Sequence, residues 1–332
     1  MQSHSIRSTQ SKVTRAEIVA DLRNIGLKTG DHVAVTVSYG EIGNVEDGPV
    51  TVLDSILEVI GPEGTLMMPT YSTSSLPFKL KREFVFDPET SPSYTGYVTE
   101  LLRLRPGSIR SHHPVSSITS VGKYTKYLTK GHDENALGLL PFFRLANLGG
   151  KYLSIGLDDR LLAIRHTGQV LSGLDSIIPM YYATQYRKVN NEVGIYHEYF
   201  PCPTNLISIT PLLEKKGVLK QGKIGMTEAK IGKAKDIIIE TFKSLSKNPE
   251  LNLCHKSSCI WCRMVEKKLD LYHSIHKPKY YQYPFIREIV SLVNKIRLTR
   301  FRNIIYNDSW NYPIFLLSIY LYSRSFFRKI IK

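Results

Sequence analysis

HVAVTVSYGEIGNVEDGPVTVLDSILEVIGPEGTLMMPTY, residues 32 to 71, is the stretch that decides the fold. Its start is rich in β-branched side chains and bounded by turn residues, which predicts a buried strand ending at Ser38. A glycine-rich connection, an amphipathic helix over TVLDSILEVI, a GPEG turn and a second apolar strand, TLMMPTY, follow. This order favours parallel strands. We therefore predict a layered α/β sandwich around a mainly parallel sheet.

The same alternation continues on both sides of this stretch. Upstream, Thr14 and Glu17 have the spacing of a capping box, which predicts a helix that ends before Gly26. Downstream, strand and helix patterns alternate as far as the amphipathic segment IGKAKDIIIETFKSL, residues 231 to 245. The composition then becomes basic and rich in cysteine and aromatic residues. We predict an α/β domain over residues 1–248 and a helical C-terminal extension over 249–332.

The extension carries most of the net charge. Residues 251 to 332 hold 15 Lys and Arg against four acidic residues, so they account for +11 of the total +15. The apolar run PIFLLSIYLY, residues 313 to 322, is shorter than the roughly 20 residues of a membrane-spanning helix. We favour peripheral contact of 285–332 with an anionic membrane, ahead of packing or a protein partner, with nucleic acid least favoured. The N-terminus lacks an apolar signal segment, which predicts a cytoplasmic protein.

The extension also holds three of the four cysteines. Cys254, Cys259 and Cys262 lie within nine positions, and His273 follows, a set that is compatible with a four-ligand zinc site. Thiols without a metal are the favoured interpretation, and zinc is the minor one. Cys202 has no evident histidine partner in the sequence, so we exclude it as a nucleophile.

Two loops have the composition of binding loops. Gly40 and Gly43 follow the first strand, where backbone amides without nearby side chains can approach a phosphate closely, although no Walker or dinucleotide pattern is present. RSHHPVSS, residues 110 to 117, places two histidines before a proline, which biases His113 towards an extended conformation.

Five segments, taken in order, resemble the aminoglycoside 3-N-acetyltransferase family over roughly residues 15 to 245. The segments are LRNIGLKTGDHVAVTVSYGEIG, GPVTVLDSILEVIGPEGTLMMPTYS, FDPETSPSYTGYVTELLRLRPGSIRSHHPVSS, GGKYLSIGL followed by His166, and GKIGMTEAKIGKAKDIIIET. The resemblance implies acetyl transfer from acetyl-CoA to an amine of an amino sugar, either an aminoglycoside or a sugar of surface-polysaccharide assembly.

The resemblance also implies the site residues. His166 matches the family's catalytic histidine and is expected to be the general base, with Gln169 beside it and His113 positioned near the thioester. His112 fills a variable place in the motif and is expected to be exposed. The residues expected to bind CoA are Ser38, Tyr39, Gly40, Glu41, Ile42, Gly43, Arg110, Ser111 and Ser117.

Three positions depart from the family pattern. Gln169 stands where the family usually has a glutamate, and Ala163 and Leu140 stand where it commonly has threonine and serine. Glutamine orients an imidazole but does not neutralise its charge, so we expect a less basic His166 unless an acid such as Asp158, Asp159 or Asp175 approaches it. The alternative interpretation is a degenerate member that binds CoA or a sugar without turnover.

Overall fold

A computed structural model describes residues 12–72, 84–157, 163–174, 181–188, 191–199, 202 and 205–275. The strands are β1 (His32–Val37), β2 (Thr65–Pro69), β3 (Val85–Phe86), β4 (Ile109–Arg110), β5 (Ile118–Gly122), β6 (Lys151–Ile155), β7 (Tyr181–Arg187), β8 (Val193–Tyr199), β9 (Lys220–Ile224) and β10 (Thr227–Lys233). The helices are α1 (Arg15–Ile25), α2 (Pro49–Ile60), α3 (Tyr97–Leu104), α4 (Thr125–Thr129), α5 (Leu140–Asn147), α6 (Arg165–Leu171), α7 (Ile209–Lys215), α8 (Ala234–Lys247) and α9 (Ile260–Ile275).

Helix α1 begins and ends where its local sequence predicts. The Thr14 amide donates to the Glu17 carboxylate at 2.7 Å, and the Glu17 amide donates to the Thr14 hydroxyl at 3.3 Å. Gly26 ends the helix with φ of 109°, a backbone conformation that costs a glycine little. The predicted capping box is confirmed.

The main sheet has the strand order β4-β5-β2-β1-β6-β10-β9. Its centre is parallel, because β1 pairs in parallel with both β2 and β6. The flanking strands β5 and β10 pair antiparallel to β2 and β6. The predicted α/β fold is confirmed, with the parallel pairing concentrated in the three central strands. A second sheet, β3-β7-β8, contains three strands.

Helices cover both faces of the main sheet. Alternate residues of β1 point to opposite faces, so Val33 and Val35 belong to one core with α1, α2 and α3, whereas Ala34 belongs to the other core with α5, α7 and α8. Burial of both faces explains why β1 and β2 are apolar at most positions rather than alternating.

The chain beyond residue 248 continues into the second core. A 3-10 turn, Pro249–Asn252, packs against α8, and Leu253, Val265 and Leu269 are buried in the same cluster as residues of α8. The boundary at 248 stays a prediction, but residues 249–269 are packed against the α/β body. Residues 285–332, to which the membrane prediction refers, lie outside the described residues. Among the helices that are described, none has the length and apolar character needed to cross a bilayer.

Candidate active site

Strand register brings the sequence motifs to one edge of the main sheet. The parallel strands β1, β2 and β6 end at Val37, Pro69 and Ile155, and Pro69 pairs with Ile118, which directly follows the RSHHPVSS loop. Strand β1 connects to β2 on one side and pairs with β6 on the other. The carboxyl end of β1 is therefore a topological switch point, the place where open α/β sheets bind ligands.

The loop after β1 is held from below by backbone contacts. The Ser38 amide donates to the Ile155 carbonyl at 2.9 Å, and Ile42 is fully buried in the first core. Gly43 has φ of 105°, and a Cβ there would lie 2.7 Å from the side chain of Met226. Glycine is thus favoured at position 43 chiefly by its positive φ, with the exposed Met226 side chain as a second, movable obstacle, whereas Ile42 anchors the loop to the core.

Gly40 is different from Gly43. It is exposed, its φ is not positive, and a Cβ built on it would meet no atom within 4 Å. The fold by itself therefore has no need of glycine at this position. A close approach by a ligand backbone or phosphate would supply such a need.

Three polar residues of the RSHHPVSS loop are bonded to the protein itself. The buried Arg110 guanidinium donates to the Thr70 carbonyl and to the Ser72 hydroxyl, the latter at 2.7 Å. The Ser117 hydroxyl donates to the Thr70 carbonyl at 2.9 Å, and the Ser111 oxygen accepts from the Ile118 amide at 2.9 Å. These bonds fix the loop to the end of β2. A role for these side chains in binding CoA stays a prediction.

His113 is fully buried in this loop. Its Nδ1 accepts from the Ser116 amide at 2.9 Å, so the proton of the neutral ring lies on Nε2, which is 3.1 Å from the Tyr196 hydroxyl of β8. Burial lowers the pKa of His113 to about 3. His113 is therefore a neutral donor rather than a base at pH 7. His112, by contrast, is exposed.

A second buried histidine, which the sequence did not single out, stacks on the first. The rings of His113 and His132 are 4.8 Å apart, and His132 Nδ1 lies 2.9 Å from the Ser111 hydroxyl. Burial is the main cause that lowers the pKa of His132, and the nearby His113 ring and Arg144 guanidinium disfavour its charged form further. His132 lies in an ordinary polar stretch of the sequence and belongs to no motif, so no local signal distinguished it.

His166 lies in the first turn of α6, one turn before Gln169. The two side chains meet, with Nδ1 of His166 2.8 Å from Oε1 of Gln169. The Gln169 Nε2 donates to Asn252 Oδ1 at 2.7 Å, and Asn205 Nδ2 donates to the same oxygen at 3.2 Å. This chain of donors fixes the glutamine so that its oxygen faces His166. It therefore places the imidazole proton on Nδ1 and leaves the Nε2 lone pair available.

Desolvation of the half-buried His166 ring lowers its pKa to about 4; the hydrogen bond that His166 Nδ1 donates to Gln169 opposes this effect, and the nearby Arg165 guanidinium adds to it. The partner of Gln169 is an amide, Asn252. Asp158, Asp159 and Asp175, the acids that we considered as substitutes for the missing glutamate, lie outside the described residues.

The two other departures from the family pattern are Ala163 and Leu140. The His166 amide donates to the Ala163 carbonyl at 3.1 Å, and Leu140 is buried at the start of α5. Neither residue offers a side-chain hydroxyl. Asn252 and Asn205 were missed by sequence reasoning because they lie 83 and 36 residues from Gln169 and carry no motif.

The cysteine candidates also come together. Cys254, Cys259 and Cys262 are joined by Cys202, which the sequence analysis left out of this set. The side chain of His273 lies outside the described residues.

Residues 34–246 match the sequence profile of the aminoglycoside 3-N-acetyltransferase family. The chain belongs to this family. Aminoglycoside N(3)-acetyltransferase VII of Streptomyces paromomycinus is 26% identical over 263 residues, which cover 70% of this chain and 91% of the relative. Aminoglycoside N(3)-acetyltransferase III of Acinetobacter baumannii is 31% identical over 200 residues, which cover 56% of this chain and 65% of that one. Membership in the aminoglycoside 3-N-acetyltransferase family classes the chain as an acyltransferase.

Solved structures share the fold of this family member. The crystal structure of the aminoglycoside acetyltransferase AAC(3)-IVa matches with a TM-score of 0.67 at 22% identity, covering 79% of this chain and 99% of that chain. AAC-IIIb, solved as a binary complex with CoASH, matches with a TM-score of 0.62 at 23% identity, covering 71% and 97%. The resemblance to the family that the sequence indicated is confirmed.

Proposed function

We propose that this chain transfers the acetyl group of acetyl-CoA to an amine of an amino sugar, with His166 as the general base. The observation that carries the proposal is the 2.8 Å contact between His166 Nδ1 and Gln169 Oε1, since it directs the Nε2 lone pair away from Gln169. The family membership of the chain supports the reaction class.

The chemistry uses a ternary complex and no covalent acyl-enzyme. The amino sugar reacts as the neutral amine, after its ammonium proton has gone to solvent. His166 Nε2 removes a proton from this amine as the nitrogen lone pair attacks the thioester carbonyl carbon. The tetrahedral intermediate then collapses as its C–S bond breaks, and the departing CoA thiolate takes a proton from the imidazolium. Amide donors of the loops at the sheet edge are the candidates for stabilising the oxyanion.

The depressed pKa of His166 has two consequences for this reaction. With a pKa of about 4 the ring is neutral at pH 7, so its lone pair is available. The same low pKa makes it a weaker base than a histidine beside a carboxylate. Gln169 stabilises the imidazolium only through its dipole, which supports a slower reaction than a glutamate would allow.

The cofactor side of the proposal rests on the loop of Ser38, Tyr39, Gly40, Glu41, Ile42 and Gly43. Exposed Gly40 at the switch point of the sheet supports contact with CoA, and Ile42 and Gly43 serve the loop through packing and a positive φ, respectively. The side chains of three further residues already hydrogen-bond to protein groups, so we propose that they support the cofactor loop rather than contact CoA directly. These residues are Arg110, Ser111 and Ser117. Acetyl-CoA is the proposed co-substrate, as for AAC-IIIb, which was solved with CoASH.

An aminoglycoside is the amino sugar that the relatives favour, since several are named as aminoglycoside N(3)-acetyltransferases. A variant of AAC(3)-IVa has also been solved in complex with a gentamicin. An amino sugar of surface-polysaccharide assembly is the second candidate substrate. This second proposal depends on contact of residues 285–332 with the cytoplasmic side of a membrane.

One observation favours a different function. Gln169 in the place of the usual glutamate would also suit a protein that binds CoA or a sugar without turnover. A thiol-release assay with acetyl-CoA and a panel of aminoglycosides and simpler amino sugars separates the two functions. The enzyme is supported if His166→Ala abolishes turnover and His112→Ala leaves it intact. His112 is an exposed histidine and serves as the control. CoA binding without turnover on any amine would establish the binding protein instead.

A further inference from the structure

All four cysteines of the chain converge at one point on the second core. Their Sγ atoms lie within 4.8 Å of one another, although Cys202 is separated from Cys254 by about fifty residues. Cys202, Cys254 and Cys262 are buried, and Cys259 is half-buried. Buried cysteines often serve as small apolar side chains, but that role does not require four thiols to face a common centre.

The spacing of the sulfurs suits a tetrahedral metal centre. Four thiolates about 2.3 Å from a zinc ion would lie about 3.8 Å from one another. Cys259 Sγ and Cys202 Sγ are 3.5 Å apart, well beyond the roughly 2.05 Å of a disulfide bond. Cys259 and Cys262 are separated by two residues, a spacing that structural zinc sites use for a ligand pair. Small shifts of the four side chains would therefore complete a coordination shell.

Two backbone amides of the cluster point towards its sulfur atoms, although burial raises the pKa of the Cys262 thiol in the absence of a metal. The Cys254 amide lies 3.2 Å from Cys262 Sγ, and the Cys262 amide lies 3.5 Å from Cys259 Sγ, so each donates towards a sulfur. A turn closed by the Cys259 amide and the Lys256 carbonyl at 2.9 Å places Cys259 immediately before α9, with Cys262 in its first turn. The amides at a helix N-terminus favour negative charge.

We propose that Cys202, Cys254, Cys259 and Cys262 bind one Zn²⁺ ion in a structural site. Four protein ligands fill a tetrahedral shell and leave no position for a substrate, so the ion would stabilise the fold rather than react. The spacing of the four sulfurs fits a single ion rather than an iron–sulfur cluster, and zinc is the ion that we assign to it. The assignment of this site does not rest on the proposed acetyl transfer.

The site would also fix the hydrogen-bonded chain from Asn252 through Gln169 to His166, called the histidine relay below. Asn252 lies two residues before Cys254, and the Asn205 amide donates to the Cys202 carbonyl at 2.9 Å. Asn205 donates to Asn252, Asn252 accepts from Gln169, and Gln169 in turn orients His166. Zinc would therefore fix both ends of the relay relative to α6, and its removal would loosen the orientation of Gln169.

Metal analysis of the full-length purified chain tests the proposal without any assay of turnover. The expected result is one equivalent of zinc per chain by mass spectrometry, with four thiols that react with a disulfide reagent only after a chelator removes the metal. Exchange with Co²⁺ is expected to give the visible absorption of tetrahedral cobalt thiolates. Three results would each overturn the proposal. The first is a chain without stoichiometric zinc whose thiols react at once. The second is a pair of disulfides, and the third is iron with inorganic sulfide.

Variants locate the site. Cys202→Ser and Cys254→Ser are expected to lose the stoichiometric metal, whereas Ser258→Ala, in the exposed turn between the ligands, is expected to retain it. Metal that remains at one equivalent in both cysteine variants would be bound elsewhere and would refute the assignment. If the cysteine variants fail to fold, the cobalt spectrum of the unaltered chain decides the question by itself.

Discussion

Replacement of Gln169 by glutamate would restore a carboxylate beside His166 and would test the role of the relay directly. In the present structure the pKa of His166 is lowered to about 4, chiefly by burial. A carboxylate in the place of Gln169 Oε1, which lies 2.8 Å from Nδ1, would put its charge about 4 Å from the centre of the imidazolium. We expect the pKa of His166 to rise.

The size of the rise follows from Coulomb's law and from the cost of the change. At an effective dielectric constant of 20, opposite charges about 4 Å apart attract by about 4 kcal/mol, which corresponds to about three pKa units. Two effects reduce this value: the new carboxylate is itself desolvated, and the 2.7 Å hydrogen bond from Gln169 Nε2 to Asn252 is lost. We therefore expect a rise of about one to two units, to a pKa of about 5 to 6.

The assay is the pH dependence of kcat/KM for acetyl transfer, supported by NMR titration of the His166 ring. The acid limb of the profile should move to higher pH in Gln169→Glu, and the rate at pH 7 should increase because the base is stronger. Gln169→Leu, which removes the hydrogen bond without adding charge, should not raise this pKa. The exposed Gln221→Glu serves as a matched control for added charge. An acid limb that stays in place or moves to lower pH in Gln169→Glu would refute the reasoning.

Three further predictions concern the relay, the cofactor loop and acid stability. Asn252→Ala should lower kcat about fivefold, which corresponds to the loss of one neutral hydrogen bond of about 1 kcal/mol, and should leave the KM for acetyl-CoA unchanged. Steady-state kinetics measures both constants, with the exposed Asn135→Ala as the control variant. An equal loss of kcat in both variants would contradict the prediction. Gly40→Ala should fold normally and should raise the KM for acetyl-CoA. Gly43→Ala should instead lower the melting temperature, because alanine is strained at a φ of 105° and its Cβ would lie 2.7 Å from Met226. An unchanged KM in Gly40→Ala would show that Gly40 is not part of the cofactor site. His113, with a pKa of about 3 in the folded chain against 6.5 for an unperturbed histidine, binds fewer protons when folded, so its contribution is complete above pH 6.5 and is lost as the pH falls towards 3. Urea titrations should show unfolding free energy falling by about 2 kcal/mol more between pH 7 and pH 5 in the unaltered chain than in His113→Asn, and parallel pH dependences would exclude this histidine as the source.

Local sequence signals were sufficient for much of the fold. Thr14 and Glu17 satisfy each other within one helical turn, so their spacing alone predicts the start of α1. The β1-α2-β2 order predicts the parallel centre because each element is defined by its own periodicity. Strands β9 and β10 extend the sheet by antiparallel pairing, and the pairing of β10 with β6 joins residues far apart in the chain, which periodicity does not encode.

The sequence by itself determined the family, the α/β alternation, and the loops in which His113 and His166 lie, since all of these are carried by contiguous motifs. The tertiary structure decided what each side chain contacts. Only the packed chain brings Asn252 to Gln169 across 83 residues and Cys202 to Cys259 across 57, and only burial turns His113 into a neutral donor. Hydrogen bonds, metal shells and desolvation depend on distances of a few ångströms in space, and separation along the chain does not fix those distances.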